Sequence, residues 1–240
     1  NRKGRWNVRL QSIVESNDRR TPAKVVEYLK SCLVFPEHEF AVLDPCCGDG
    51  VALHGLTADT QATTYGVELS SSYVQEARER LFKVARGALD KARISNNAFS
   101  LLFLNPPYGR SPFGDTLREK IFLQNTVRYL APGGVLIYTI PETSFRDDIA
   151  GFLSYRFTNV RLFKFPLPEY NALGEIVVMA TKKAKYKADP ESRIAMMAAI
   201  EEGIPRLSPG ICKYTVPTSN PEVPIFRSGT LDPDEILGEV

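Results

Sequence analysis

The chain has 240 residues, 43% of them apolar and 24% charged, with a net charge of +2. That is the composition of an ordinary globular protein with one sizeable domain and room for a small appendage. It excludes a disordered or fibrous chain, and no apolar run approaches the roughly 20 residues needed to span a bilayer, so no membrane partner is expected. No signal peptide is visible, and the first residues, Asn1-Arg2-Lys3-Gly4-Arg5, lack an initiating Met, as expected of a trimmed product.

Residues 1–20 are polar and charged with a lone Trp6, and read as an arm. Thr21-Pro22 then opens a helix, a hydroxyl N-cap followed by Pro at the first helical position, with Val25, Val26, Leu29 and Leu33 on its apolar side. Phe40–Asp44 is a strand and Val51–Leu56 begins the next helix. Thr64–Glu68 is a second strand. Ser72, with Gln75 three positions on, has the form of a capping box and starts a helix through Ala77 and Leu81. Val84–Arg86 is a short third strand and Ser100–Leu104 a fourth. Leu117–Leu130 reads as a helix with Ile121, Phe122, Val127 and Leu130 inward, stopped by Pro132-Gly133-Gly134. Val135–Ile140 is a nearly all-apolar strand, as expected of one covered on both faces. Thr143–Tyr155 is helical. Val160–Phe165 and Ile176–Thr181 are strands joined by the loop Pro166–Gly174. Strands alternating with helices predict an α/β fold: a mainly parallel sheet with helices on both faces.

Beyond this body the character changes. Pro190–Glu202 is an amphipathic helix with Ile194, Met197 and Ile200 on one face, followed by a tail containing Pro205, Pro209, Pro217, Pro221, Pro224 and Pro233. The expected division is an arm over 1–20, a catalytic domain over 21–185, and a helix with a Pro-rich extension over 186–240 that wraps the domain or leads into a missing segment.

Cys32, Cys46, Cys47 and Cys212 form no CxxC pair, and His38 and His54 are the only histidines, so neither a metal site nor a Cys–His nucleophile is expected. The cysteines read as reduced packing residues of a cytoplasmic protein. The basic clusters Arg2-Lys3-Arg5, Arg19-Arg20 and Lys182-Lys183-Lys185-Lys187 read as solvated faces ahead of phosphate contacts.

Two loops carry the chemistry. In an open parallel sheet, ligands bind at the carboxyl ends of the strands. Asp44-Pro45-Cys46-Cys47-Gly48-Asp49-Gly50 follows the first strand, where Gly48 and Gly50 let the backbone turn tightly and approach a ligand. The loop lacks the full GxGxxG pattern of dinucleotide binding, and its strand-ending acid suits a cofactor with an ammonium group. Glu68 ends the next strand, with Leu69 beside it, and a carboxylate there can accept both hydroxyls of a ribose.

The second loop, Asn105-Pro106-Pro107-Tyr108, follows the apolar run Leu101–Leu104. A conjugated amino group is a poor nucleophile because its lone pair is delocalised. Accepting hydrogen bonds from both N–H groups favours pyramidalisation and stabilises the positive charge that develops on methylation. Asn105 supplies a side-chain carbonyl and Pro106 a backbone carbonyl, with Pro106 and Pro107 fixing direction. Tyr108 supplies a flat face for stacking. Read alone, Asn-Pro is equally a strand-ending turn.

On these motifs the chain resembles the class I S-adenosylmethionine-dependent methyltransferases, and among them the N6-adenine DNA methyltransferases with an NPPY signature. The likeness covers about residues 21–183. It implies a Rossmann-like seven-stranded sheet with the last strand antiparallel, and S-adenosylmethionine as cofactor. Thr21, Pro22, Asp44, Pro45, Cys46, Gly48, Gly50, Glu68, Leu69 and Asn105 would contact that cofactor, and Asn105, Pro106, Pro107 and Tyr108 would be catalytic. The substrate would be nucleic acid, most simply DNA, its target base flipped out of the stack between Tyr108 and Tyr170, with Arg110 on a phosphate. RNA adenine, a protein glutamine amide, or a non-catalytic cofactor-binding subunit are the alternatives. Two departures stand out. The adenine-binding acid expected after the third strand is absent or displaced to Asp90, in Arg86-Gly87-Ala88-Leu89-Asp90. There is no large recognition domain either, which assigns sequence recognition to a partner chain or a missing domain.

Overall fold

The computed structural model describes residues 20–109 and 116–229. The arm with Trp6 and the first basic cluster, and Arg110 with most of its loop, lie outside the described residues. In chain order the elements are α1 (Ala23–Ser31), β1 (Leu33–Val34), β2 (Phe40–Asp44), α2 (Val51–Thr57), β3 (Ala62–Glu68), α3 (Ser71–Arg78), β4 (Lys83–Arg86), β5 (Arg93–Ile94) and β6 (Phe99–Leu104). There follow α4 (Arg118–Thr126), β7 (Leu130–Pro141), a 3-10 turn (Glu142–Ser144), α5 (Asp147–Arg156), β8 (Phe157–Lys164), α6 (Glu169–Leu173), β9 (Glu175–Lys182), α7 (Pro190–Glu202), β10 (Tyr214–Thr215) and β11 (Phe226–Arg227).

Seven strands form one sheet in the order β4-β3-β2-β6-β7-β9-β8. All neighbours are parallel except β9, which runs antiparallel to both β7 and β8. This is the class I methyltransferase sheet. Every residue of β2 and β6 is buried, because alternate side chains feed two separate cores. Leu43, Leu102 and Leu104 enter one with α4 and α5, while Val42, Leu101 and Phe103 enter the other with α1 and α2. The apolar runs seen in the sequence are therefore central strands, as expected of a sheet covered on both faces.

Several local expectations change. α1 begins at Ala23 with Pro22 at its cap, and Thr21 makes no capping bond; its hydroxyl is engaged elsewhere, as described below. α3 begins at Ser71 without a side-chain cap, so the Ser72–Gln75 box does not form; Ser72 instead meets Ser70 through their hydroxyls at 2.9 Å. It ends at Arg78, because the amides of Arg80 and Leu81 both turn back to the Ala77 carbonyl. α4 has only nine residues, and its inward stripe is Glu119, Leu123 and Thr126, with Ile121 and Phe122 half-buried at its sides. Pro132-Gly133-Gly134 lies inside β7 and does not stop the helix. The apolar stretch from Thr143 splits into a 3-10 turn and α5, and the loop after β8 contains α6. On α7, which packs against α5, Met196 is buried and Ile194 is 68% exposed, a phase shift from the expected face.

Lys182 departs furthest from the reading of its cluster as a solvated face. It is buried, and its ammonium donates to Asn97 Oδ1 at 2.9 Å, to the Val127 carbonyl at 2.9 Å and to the Leu130 carbonyl. It thus satisfies carbonyls left over where α4 ends.

The Pro-rich tail wraps the body. Arg206 bridges to Lys164 at the end of β8. β10 pairs parallel with β1, Ser219 Oγ accepts from the amide of Ala41 at the start of β2, and Tyr65 of β3 donates to the Pro221 carbonyl. β11 then pairs antiparallel with β5.

Candidate functional site

Asp44, Glu68, Arg86 and Asn105 sit at or just past the carboxyl ends of β2, β3, β4 and β6, four neighbours in the sheet. The loop after β2 is fixed by Asp44, whose Oδ1 accepts from the Cys46 amide at 2.9 Å. Gly50 caps α2 at φ +79°, and a Cβ there would press on Leu81 and Ala77 at 3.1–3.3 Å, so only glycine fits both the turn and the packing. Gly48 has open space where a Cβ would stand, a cradle free for a ligand. Its amide donates to Glu68 Oε2 at 3.0 Å, while Glu68 Oε1 accepts from the amides of Leu69 and Ser70, both at 2.7 Å. The two strand-end loops are thus one hydrogen-bonded unit, and the Glu68 carboxylate is held in a single orientation.

Asp44 is fully buried. Burial, with a smaller contribution from the charge of Glu68, pushes its pKa up to about 8, even though the Cys46 amide lowers it. Burial and the same two acids push the thiols of Cys46 and Cys47 well above their ordinary range, so neither is a nucleophile. All four cysteines are free. Among the described residues no cluster of His, Cys, Asp and Glu could hold a metal.

Asn105 is the junction of the site. Its Nδ2 donates to Thr21 Oγ1 at 3.0 Å and its Oδ1 accepts from the Tyr108 hydroxyl at 2.7 Å. The side-chain amide is held at both ends. The structure therefore brings Thr21 to Asn105, joining two positions the sequence separates by 84 residues. Pro106 is buried and Pro107 half-buried. Tyr108 is 9% exposed, so its bond to Asn105 is as prominent as its ring face. Pro45 is buried and Leu69 exposed beside Glu68. Asp90 is exposed and paired with Lys91 at 3.7 Å, away from any role as a buried acid.

Sequence reasoning missed Glu119. It is 1% exposed, and its Oε2 accepts from the Gly109 amide at 3.2 Å while Oε1 accepts from Ser144 Oγ at 2.8 Å. It holds the exit of the Asn-Pro-Pro-Tyr loop from behind. The signal was present: Glu119, Leu123 and Thr126 share one helical stripe. Glu119→Ala is expected to destabilise the protein by about 1–3 kcal/mol, because two donors lose their acceptor, whereas Glu119→Gln keeps an acceptor and loses less. Urea unfolding of the two variants checks this ordering.

Also missed was the setting of Tyr170 on α6. Its hydroxyl donates to Glu142, and its ring lies 5.0 Å from both the Lys164 ammonium and the Arg206 guanidinium. Lys164 pairs with Glu142 at 3.2 Å. Phe165 is fully buried, a core residue. Near α1, Arg20 pairs with Asp49 at 2.7 Å and lies over the ring of Tyr73.

The profile of an uncharacterised methyltransferase family, DUF6094, matches residues 9–216. The chain belongs to that family. Similar solved structures agree in fold. A Listeria monocytogenes structure described as a class I S-adenosylmethionine-dependent methyltransferase superposes with a TM-score of 0.60 at 17% identity, covering 77% of this chain and 72% of that one. A Haloferax volcanii methyltransferase in complex with the Trm112 activator gives 0.50 at 13% identity, covering 77% and 97%. M. jannaschii TYW2, in complex with AdoMet, gives 0.48 at 17% identity, covering 70% and 79%. None of the curated proteins compared matches the sequence. The protein is a methyltransferase with the class I fold.

Proposed function

We propose that this methyltransferase methylates the exocyclic N6 amino group of adenine in DNA. The observation that carries the reading is the Asn105 amide, immobilised between Thr21 and Tyr108 at the exit of β6, beside the strand ends that present Asp44 and Glu68.

The residues present fit the cofactor. Asp44 is a buried acid, the glycine turn leaves open space at Gly48, and Glu68 is pre-oriented by three backbone amides. Asp44 and the turn Pro45–Gly50 would hold the ammonium end, Glu68 with Leu69 the ribose, and Thr21-Pro22 the flank next to Asn105. When bound, S-adenosylmethionine supplies a methyl group on a positively charged sulfur.

The chain's own contribution is to prepare the acceptor. Asn105 Oδ1 and the Pro106 carbonyl accept the two N–H groups of the amine, which localises its lone pair toward the methyl carbon. The amine would give up its proton to water. Because Thr21 and Tyr108 hold the amide before the substrate arrives, no reorganisation is needed at the moment of reaction. Tyr108 would meet one face of the base. Tyr170 would meet the other face, its ring near the Lys164 and Arg206 cations and its hydroxyl anchored by Glu142. Lys164 and Arg206 beside it, with Lys24 at 2.9 Å from the Leu167 carbonyl, would meet backbone phosphate and add salt-dependent affinity. Sequence recognition is left to a partner chain or a further domain.

The test is transfer of labelled methyl to duplex DNA, RNA and protein in parallel. Label in N6-methyladenine of DNA is the expected result. Label confined to RNA or to protein would replace the substrate assignment.

A further inference from the structure

In the cofactor placement proposed above, the methyl donor faces Asn105 at β6 and Glu68 at β3 meets the ribose, so the purine would extend past β3 to the exit of β4, the edge strand. Glu68 and Arg86 are register partners there. The acid expected at this exit is missing, since Asp90 is exposed and turned to Lys91.

What occupies the β4 exit is the C-terminal tail. Ser228 Oγ donates to the Arg86 carbonyl at 2.6 Å. Phe226 is buried against Tyr65, ring centroids 4.8 Å apart, and β11 pairs with β5 (Phe226 with Ile94, Arg227 with Arg93). A Cβ on Gly229 would collide with the Lys91 carbonyl oxygen, so the tail is pressed directly onto the loop after β4. Tyr65, on the same strand as Glu68, both donates to the Pro221 carbonyl and accepts from the Val223 amide, which ties the tail to the ribose-binding strand. This tail lies beyond the residues 9–216 that match the family.

We propose that Phe226–Gly229 forms the wall of the cofactor site at its purine end, in the place of the missing strand-end acid. The inference rests on the cofactor placement proposed above. Phe226 and Tyr65 anchor the segment, and Ser228 sets it against the strand from which the purine is approached.

Hydrogen–deuterium exchange with and without S-adenosylhomocysteine tests it without reference to turnover. The expected result is slowed exchange in three segments: 44–50, 66–70 and 226–229. Protection in the first two without the third overturns the tail's role and leaves the cofactor placement standing. Protection in none overturns both. Calorimetric titration of the full-length variants Ser228→Ala and Phe226→Ala gives a second reading. Each is expected to raise the Kd for S-adenosylhomocysteine by about tenfold. An unchanged Kd in both variants, with their thermal melting recorded alongside, overturns the proposal.

Discussion

Asn105→Ala is expected to lower the rate of methyl transfer by about 100- to 1000-fold, the loss that follows removal of a preorganised polar group facing developing charge. Affinity for S-adenosylhomocysteine is expected to change little, since the contacts at Asp44 and Glu68 remain. The cause is specific. Asn105 is the residue on which Thr21 and Tyr108 converge, and truncation leaves both hydroxyls without their shared partner. Thr21→Val and Tyr108→Phe each remove one of the two restraints, and each is expected to lower kcat by a smaller factor than the loss of Asn105 itself. Single-turnover measurements with saturating cofactor separate this from a binding defect. An Asn105→Ala variant with undiminished turnover would end the catalytic assignment.

Cofactor affinity is expected to rise about tenfold per pH unit between pH 5 and 7, the dependence of a binding event that releases one proton. The sign follows from Asp44. Its pKa in the folded, ligand-free protein is raised to about 8, so the free site holds a proton over this range. An ammonium partner requires the carboxylate, and the proton must leave when it binds. The same shift acts on folding. The folded protein binds this proton more tightly than the unfolded chain, so Asp44 contributes stability fully below its ordinary carboxylate range, and that contribution is lost as pH rises toward 8. Asp44→Asn is expected to flatten both dependences and to weaken binding throughout. Calorimetry in buffers of different ionisation heat counts the proton directly, and zero protons released would show that Asp44 does not meet the cation.

The strands were readable because each is a short apolar run ended by turn residues, and burial on both faces demands such runs. Phe40–Asp44 and Pro190–Glu202 match their elements residue for residue. The turns after β2 and β6 were readable because backbone geometry there needs glycine and proline. What could not be read was set by distant partners. Thr21 looks like a helix cap in sequence, but its hydroxyl has a better use 84 positions away at Asn105. Lys182 looks solvated until three oxygen acceptors surround it. Pro132-Gly133-Gly134 looks like a breaker, yet it lies at the exposed start of a strand whose apolar remainder sets its course. Glu119 belongs to a stripe that the apolar pattern alone assigns to Ile121 and Phe122.

The wrapping tail has a consequence for how the molecule is made. Ser219 holds Ala41, a strand residue 178 positions earlier, and β10 closes on β1. Contacts of such sequence separation form late and slow the search for the native state. During synthesis the central sheet can assemble first, but its edge beside β4 stays unfinished until the residues around Phe226 leave the ribosome.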